Sequence, residues 1–175
     1  MIGNSALASL AVTPATHTLL LLRHAKSDWG HAVGDRDRPL ASRGRRQAPH
    51  TGRWLAEHEL VPDLALVSPA ARARQTWDLI AGQWSGPLPS VRIEEAAYTF
   101  DGADLLELVR GASESVGRLA LTGHNPGLEE LASELTGEWV RLPTSALAVI
   151  ELERWADAGA GRARLRYAGR PADDA

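Results

Sequence analysis

Four consecutive leucines, Leu19 to Leu22, run without a break into Arg23, His24, Ala25, Lys26 and Ser27. An uninterrupted apolar run of this length predicts a strand buried on both faces, and in an open α/β sheet the residues just past such a strand lie at the carboxyl edge, where ligands bind. A polar loop, Asp28 to Leu40, follows and is long enough to be functional. Ser42 can cap a helix running to about Glu59, in which Pro49 and Gly52 predict a kink or a late start. Leu64 to Val67 is a second short buried strand. Ser68 and Pro69 then predict a helix to about Gln83, with Ser68 as its cap and Pro69 in its first position.

The alternation continues through the second half of the chain. A Gly/Pro/Ser-rich loop from Ser85 to Ser90 leads to a short strand near Val91 to Glu94, and Asp101 can cap a helix whose Leu105, Leu106 and Val109 share one face. Arg118 to Thr122 reads as the next strand. It ends in Gly123, His124, Asn125, Pro126 and Gly127, where Asn125 can cap and Pro126 can start a helix to Leu135. Ala146 to Leu152 is a further apolar strand, and Arg162 to Tyr167 alternates polar and apolar residues with the period of a half-buried edge strand. Strands alternating with helices predict a three-layer α/β/α sandwich, a mostly parallel central sheet with helices on both faces. One domain is expected over residues 17–170, with a flexible extension at 1–16 and a loose tail at 171–175.

Composition narrows the classes. A chain of 175 residues can bury roughly 70% of its unfolded surface as one domain. A formal charge of −3 gives no electrostatic footprint for nucleic acid, and no apolar stretch approaches the ~20 residues that span a bilayer. The absence of cysteine removes disulfides, thiolate nucleophiles and thiolate metal sites together, and fits a cytoplasmic protein.

Three turns at strand ends carry the candidate chemistry: Arg23 with His24, Arg72 in the first turn of a helix, and His124 before another helix. In a parallel sheet all three lie on one edge, where two helix N-termini also favour an anion. Two guanidiniums can grip the non-bridging oxygens of a phosphoryl group, while two imidazoles supply a nucleophile and a further donor.

The blocks Arg23-His24-Ala25-Lys26-Ser27, Ser68-Pro69-Ala70-Ala71-Arg72-Ala73-Arg74-Gln75-Thr76 and Gly123-His124-Asn125-Pro126 resemble the signature of the histidine phosphatase superfamily. Together with Asp28-Trp29, Asp37-Arg38-Pro39-Leu40 and Arg43-Gly44, they are similar to the short bacterial phosphohistidine phosphatases of the SixA type, from about residue 18 to residue 152. The resemblance implies that His24 takes the phosphoryl group, that Arg23, Arg72 and His124 hold it, and that water hydrolyses the phosphohistidine formed, with no metal or organic cofactor. Many superfamily members that cleave esters also carry a carboxylic acid for the leaving alkoxide. Here Glu94, Glu95, Asp35 and Asp37 are candidates by position. Without such an acid the site suits imidazole as a leaving group, since its conjugate acid has a pKa of ~6.5. The expected substrate is therefore phosphohistidine in a protein; the alternatives are a small phosphate ester, or phosphate binding by an adaptor without turnover.

Several residues have plainer readings. Ser27 either donates to phosphate or stabilises its own turn. Lys26 and Arg74 are expected in solvent. Asp28, His31, Asp35 and Asp37 match no metal-ligand spacing on a regular element, so no metal is expected. Trp29 is a rim residue or a loop anchor, whereas Trp54, Trp77, Trp84, Trp139 and Trp155 are expected to pack.

Overall fold

A computed structural model describes residues 17–30 and 32–171; the extension at 1–16, His31 and the tail from 172 lie outside the described residues. The elements are β1 (His17–Arg23), α1 (Ser42–Glu57), β2 (Leu64–Val67), α2 (Ala71–Ala81), β3 (Ser90–Ile93), α3 (Gly102–Arg110), β4 (Arg118–Gly123), α4 (Gly127–Thr136), β5 (Leu147–Leu152) and β6 (Ala163–Gly169). The sheet runs β3-β2-β4-β1-β5-β6. Its first four strands are parallel, β5 runs antiparallel to β1, and β6 runs antiparallel to β5.

Connection handedness decides which face each helix covers. Crossovers from β1 to β2 and from β2 to β3 step one way along the sheet, and the crossover from β3 to β4 steps back, so right-handed connections put α1 and α2 on one face and α3 on the other. The apolar side chains divide accordingly. Leu20, Leu22, Ala65 and Val67 pack with Ala48, Leu55, Trp77 and Ile80 of α1 and α2. Leu19, Leu21, Leu119 and Leu121 pack with Leu105, Val109, Leu128 and Leu131 of α3 and α4. Successive leucines in β1 thus feed opposite cores, which is why the run needs no polar residue. In β6 partly buried and exposed residues alternate, as a half-covered edge strand requires.

Some local expectations are corrected. Helix α1 starts at Ser42 rather than late and continues through Pro49 and Gly52; a Cβ on Gly52 would lie 2.3 Å from the Ile80 carbonyl oxygen, so glycine lets α1 and α2 approach closely. Ser42 is the first residue of α1, whose cap is Ala41. Helix α2 begins at Ala71 with Ala70 as its cap, not Ser68, and α4 begins at Gly127 with Pro126 at the cap position, not Asn125. Both displaced side chains serve tertiary contacts instead: Ser68 Oγ lies 2.7 Å from His124 Nε2, and Asn125 Nδ2 donates to the Leu142 carbonyl at 2.9 Å. Trp139 is 83% exposed and packs no core, unlike Trp77 and Trp155.

Gly52→Ala is expected to lower the unfolding free energy by about 1–3 kcal/mol, the usual cost of overpacking a tight interface. Gly34 has φ −61° and nothing within 4 Å of an added Cβ, so Gly34→Ala should stay within about 0.5 kcal/mol of the parent. Urea denaturation of the two variants checks the contrast.

Candidate active site

Because β1, β2 and β4 are parallel, their carboxyl ends meet on one edge: Leu22 and Val67 both pair with Thr122, and Arg23 pairs with Gly123. The residues immediately beyond are His24, Ser68 and His124. Strand β5 runs the other way, so the segment before it returns to the same edge, where Arg23 N donates to the Ala146 carbonyl (3.0 Å) and Ser145 N to the His24 carbonyl (3.3 Å). From α2, Thr76 Oγ1 accepts from Ala25 N at 2.9 Å and donates to the Arg72 carbonyl at 2.7 Å, tying the turn after His24 to the helix that carries Arg72.

Arg72 is 1% exposed and lies between the two imidazoles. Its Nε donates to His24 Nε2 and one Nη to His124 Nδ1, both at 3.3 Å. A guanidinium only donates, so both of these ring nitrogens present lone pairs. The opposite nitrogens agree: His24 Nδ1 donates to the Ala25 carbonyl at 2.8 Å, and His124 Nε2 donates to Ser68 Oγ. Both rings are thus held neutral with fixed tautomers, and His24 turns a bare Nε2 toward the guanidinium.

Burial is the largest reason for that neutrality. It lowers the His24 pKa from 6.5 to about 4, with Arg72, Arg23 and Arg38 adding to the effect against the Ala25 hydrogen bond. His124 falls to about 3, again first through burial and then through His24 and Arg72. At both rings desolvation outweighs the neighbouring cations.

The loop between β1 and α1 supplies a counter-charge. Around a 3-10 turn at Asp35–Asp37, the Asp35 carbonyl accepts from Arg72 Nη1 at 2.6 Å, and its Oδ2 accepts from Arg72 Nη2 at 3.0 Å and from the Tyr98 hydroxyl at 2.7 Å. Asp35 Oδ1 accepts from Arg38 Nη2 at 2.7 Å. These donors, Arg38 foremost, hold the Asp35 carboxyl far below the usual carboxylate range. Arg38 is itself buried, donates to Ser27 Oγ, and stacks its guanidinium 3.7 Å from the Trp29 ring centroid, so Trp29 anchors the loop while remaining 73% exposed.

The structure therefore brings together His24, Arg72 and His124, with ring centroids of the two histidines 5.2 Å apart. Arg23 flanks them, half-buried, its Nη1 donating to the Leu142 carbonyl at 2.8 Å. Ser27 faces Arg38. Glu95 pairs with Arg36 at 2.6 Å, and Glu94 binds its own turn and Arg92, so the recorded bonds of both lead away from the histidines. Lys26 and Arg74 are exposed, as expected. Ser68, Arg38 and Tyr98 were not selected as site residues by sequence reasoning. Arg38 had a signal in the Arg-Pro-Leu end of an unusually long loop, whereas Tyr98 arrives from a turn with no local signature. Among the described residues no His/Asp/Glu cluster is arranged to hold a metal ion, and His31 lies outside them. No described helix is long and apolar enough to cross a membrane.

A family model described as histidine phosphatase superfamily (branch 1) matches residues 19–97. An uncharacterised protein of Mycobacterium tuberculosis is 32% identical over 158 residues, covering 82% of this chain and 96% of its own. Two solved structures share the fold: a candidate phosphohistidine phosphatase SixA from Nakamurella multipartitia, with TM-score 0.79, 28% identity, and coverage of 90% of this chain and 97% of its own; and another from Agrobacterium tumefaciens, with TM-score 0.77, 30% identity, and coverage of 89% and 98%.

Both imidazoles stay neutral in the folded chain at pH values where an unfolded chain, titrating near 6.5, has protonated them. The unfolded state then binds the extra protons, so stability should fall as pH drops from about 6.5 toward about 4. Replacing His24 and His124 by Asn should flatten that slope, read by denaturant unfolding at pH 7, 5.5 and 4.5. Imidazole NMR titration should place both midpoints well below 6.5; a midpoint at or above that value for His24 would contradict the site as described.

Proposed function

The chain belongs to the histidine phosphatase superfamily and is a phosphatase of SixA-like fold, and from that premise we propose that His24 is its nucleophile and phosphohistidine in a protein its substrate. The observation that carries this reading is the hydrogen bond from Arg72 Nε to His24 Nε2: the nitrogen that would attack phosphorus lies beside the guanidinium that would hold its oxygens.

In this mechanism Nε2 attacks in line, the bond from phosphorus to the leaving atom breaks, and the phosphoryl group resides on Nε2 until water displaces it. The Ala25 carbonyl retains the Nδ1 proton and stabilises the positive charge that develops on the ring. Arg72, Arg23 and Arg38 neutralise the three oxygens as charge spreads over them. His124 is neutral in the empty site, and an arriving phosphoryl dianion favours its protonation, giving it a proton to donate. Ser27 keeps a hydroxyl proton for a phosphate oxygen beyond the bond that it accepts from Arg38. No step requires a metal.

The leaving group distinguishes the substrates. Asp35 is held ionised, and the bonds of Glu94 and Glu95 lead elsewhere, so none of these three carboxyls is a ready acid for an alkoxide. Imidazole departs with less help, because its conjugate acid is far stronger than an alcohol. Trp29, 73% exposed, and Phe100, 49% exposed with its ring 5.5 Å from that of His124, offer apolar area beside the cleft of the kind that a protein surface covers. One observation favours the second reading, a general phosphomonoesterase: Glu95 is exposed and belongs to the turn that leads to Tyr98, so a ligand that breaks its pairing with Arg36 would free a carboxyl near the cleft.

Phosphate release should be measured from a phosphohistidine peptide, an aryl phosphate and an alkyl phosphate. His24→Ala should abolish release, and Arg72→Ala should lower kcat/KM about a hundredfold, equivalent to ~3 kcal/mol for one lost donor. The phosphohistidine peptide should have the highest kcat/KM; preference for the alkyl ester would overturn the substrate reading, and binding without turnover by the unaltered protein would support an adaptor.

A further inference from the structure

A buried guanidinium of a phosphatase would be expected to keep its N–H groups for substrate, yet those of Arg72 are largely engaged. Nε bonds His24, Nη2 bonds both His124 and the Asp35 carboxylate, and Nη1 bonds the Asp35 carbonyl, so four of the five donors have protein acceptors. Two of these four bonds go to one residue, and that residue brings a negative charge. Asp35 presents two oxygens to the fork of Arg72, as a phosphoryl group would, and its other carboxylate oxygen takes Arg38, the third arginine that bears on His24.

The rest of the turn fits a replaceable acceptor. The Asp35 side chain is 45% exposed, whereas that of Arg72 is 2% exposed, so the carboxylate has solvent to move into and the guanidinium has not. Its fastenings on the outer side are the Tyr98 hydroxyl and, one residue on, the exposed Arg36–Glu95 pair at 2.6 Å with Arg36 5.7 Å from the Tyr98 ring centroid. Exposed ion pairs of this kind contribute little net stability. Behind the turn, nothing lies within 4 Å of where a Cβ on Gly34 would sit, so the turn is not packed against its neighbours on that side. Arg38 is different. Its stack on Trp29 and its bond to Ser27 hold it in place when Asp35 leaves, so that departure would free donors on two fixed guanidiniums together.

We propose that the Asp35 carboxylate is the resident anion of the phosphoryl cleft: it sits on Arg72 in the empty enzyme, is displaced by the substrate's phosphoryl group, and returns to expel inorganic phosphate. This rests on the phosphatase reading above and deepens it by assigning a positioning residue to the entry and exit of the anion. A resident carboxylate keeps buried cations paired between turnovers, when unpaired charge would be costly. The corresponding cost is competition, since every phosphoryl group must displace an anion already in place. An attached substrate can recruit the exposed apolar rim, whereas free phosphate cannot, so the competition falls harder on product.

The test compares the unaltered enzyme with Asp35→Asn and Tyr98→Phe, using inorganic phosphate as the probe in calorimetric titration and as a competitive inhibitor of aryl phosphate turnover. Asp35→Asn keeps the shape and removes the charge; Tyr98→Phe keeps the charge and removes one fastening. Phosphate should bind about tenfold more tightly to Asp35→Asn and by a smaller factor to Tyr98→Phe, with KM falling and kcat unchanged or lower as product release slows. A carboxylate that merely organises Arg72 and Arg38 for substrate predicts the opposite, weaker phosphate and higher KM, and that result or no change would overturn the proposal. If Asp35→Asn fails to fold by circular dichroism, the direction of the Tyr98→Phe shift decides. Absence of turnover by the unaltered enzyme would refute the phosphatase reading, while the calorimetric comparison would still test the resident anion.

Discussion

The hydrogen bond from Arg72 to His24 sets the tautomer of the ring at the centre of the sheet edge, and its immediate polar neighbours conform to it. A guanidinium has no lone pair to offer, so the imidazole that meets it must, and the proton on that ring must reside on Nδ1. The Ala25 carbonyl accepts that proton, which fixes the turn after β1, and Thr76 joins the same turn to the helix carrying Arg72. His124 answers the same guanidinium in the same way and donates its own N–H to Ser68. Ser68 is thereby withdrawn from helix capping, and α2 starts at Ala71. Local chain geometry here follows from the charge state of one buried side chain.

Burying that side chain has consequences at two scales. Within the site, the low polarity around His24 and His124 keeps both rings neutral at pH values where water would protonate them, so a nucleophile stands beside a cation without sharing its charge. Across the fold, the cation requires an anion, and the chain supplies one from the loop between β1 and α1. The parallel arrangement of β1, β2 and β4 makes this possible, because it delivers residues about fifty and one hundred positions apart to one edge. An antiparallel β5 then brings the Leu142 and Ser145 backbone to the same place and closes the side that a further parallel strand would have left open.

How much of this the sequence disclosed depends on the range of the interaction. The buried strands, the two-sided helical cover and the meeting of His24, Arg72 and His124 were legible, since strand periodicity and parallel topology place those residues without knowledge of side-chain contacts. Caps were less legible. Ser68 and Asn125 have the right chemistry to cap, but tertiary partners offered better bonds, a competition that no local pattern records. Gly52 read as the sign of a kink or a late start because its reason, the Ile80 carbonyl, lies on another helix. Asp35 was visible only as one of four acidic candidates, and nothing nearby in sequence distinguishes it from Asp37. Its selection depends on the 3-10 turn that points one carboxylate inward and on Tyr98, which reaches it from across the site.

The central claim is that Nε2 of His24, bare and neutral beside Arg72, is the atom that accepts phosphorus. Rapid quenching of the enzyme during turnover into alkaline solution, where phosphohistidine survives, followed by tandem mass spectrometry and phosphorus NMR, reads that atom directly. The account predicts one phosphoryl group, on His24 and on Nε2. A phosphoryl group on His124, on Nδ1 of His24, or on no histidine at all in an enzyme that is turning over would contradict it.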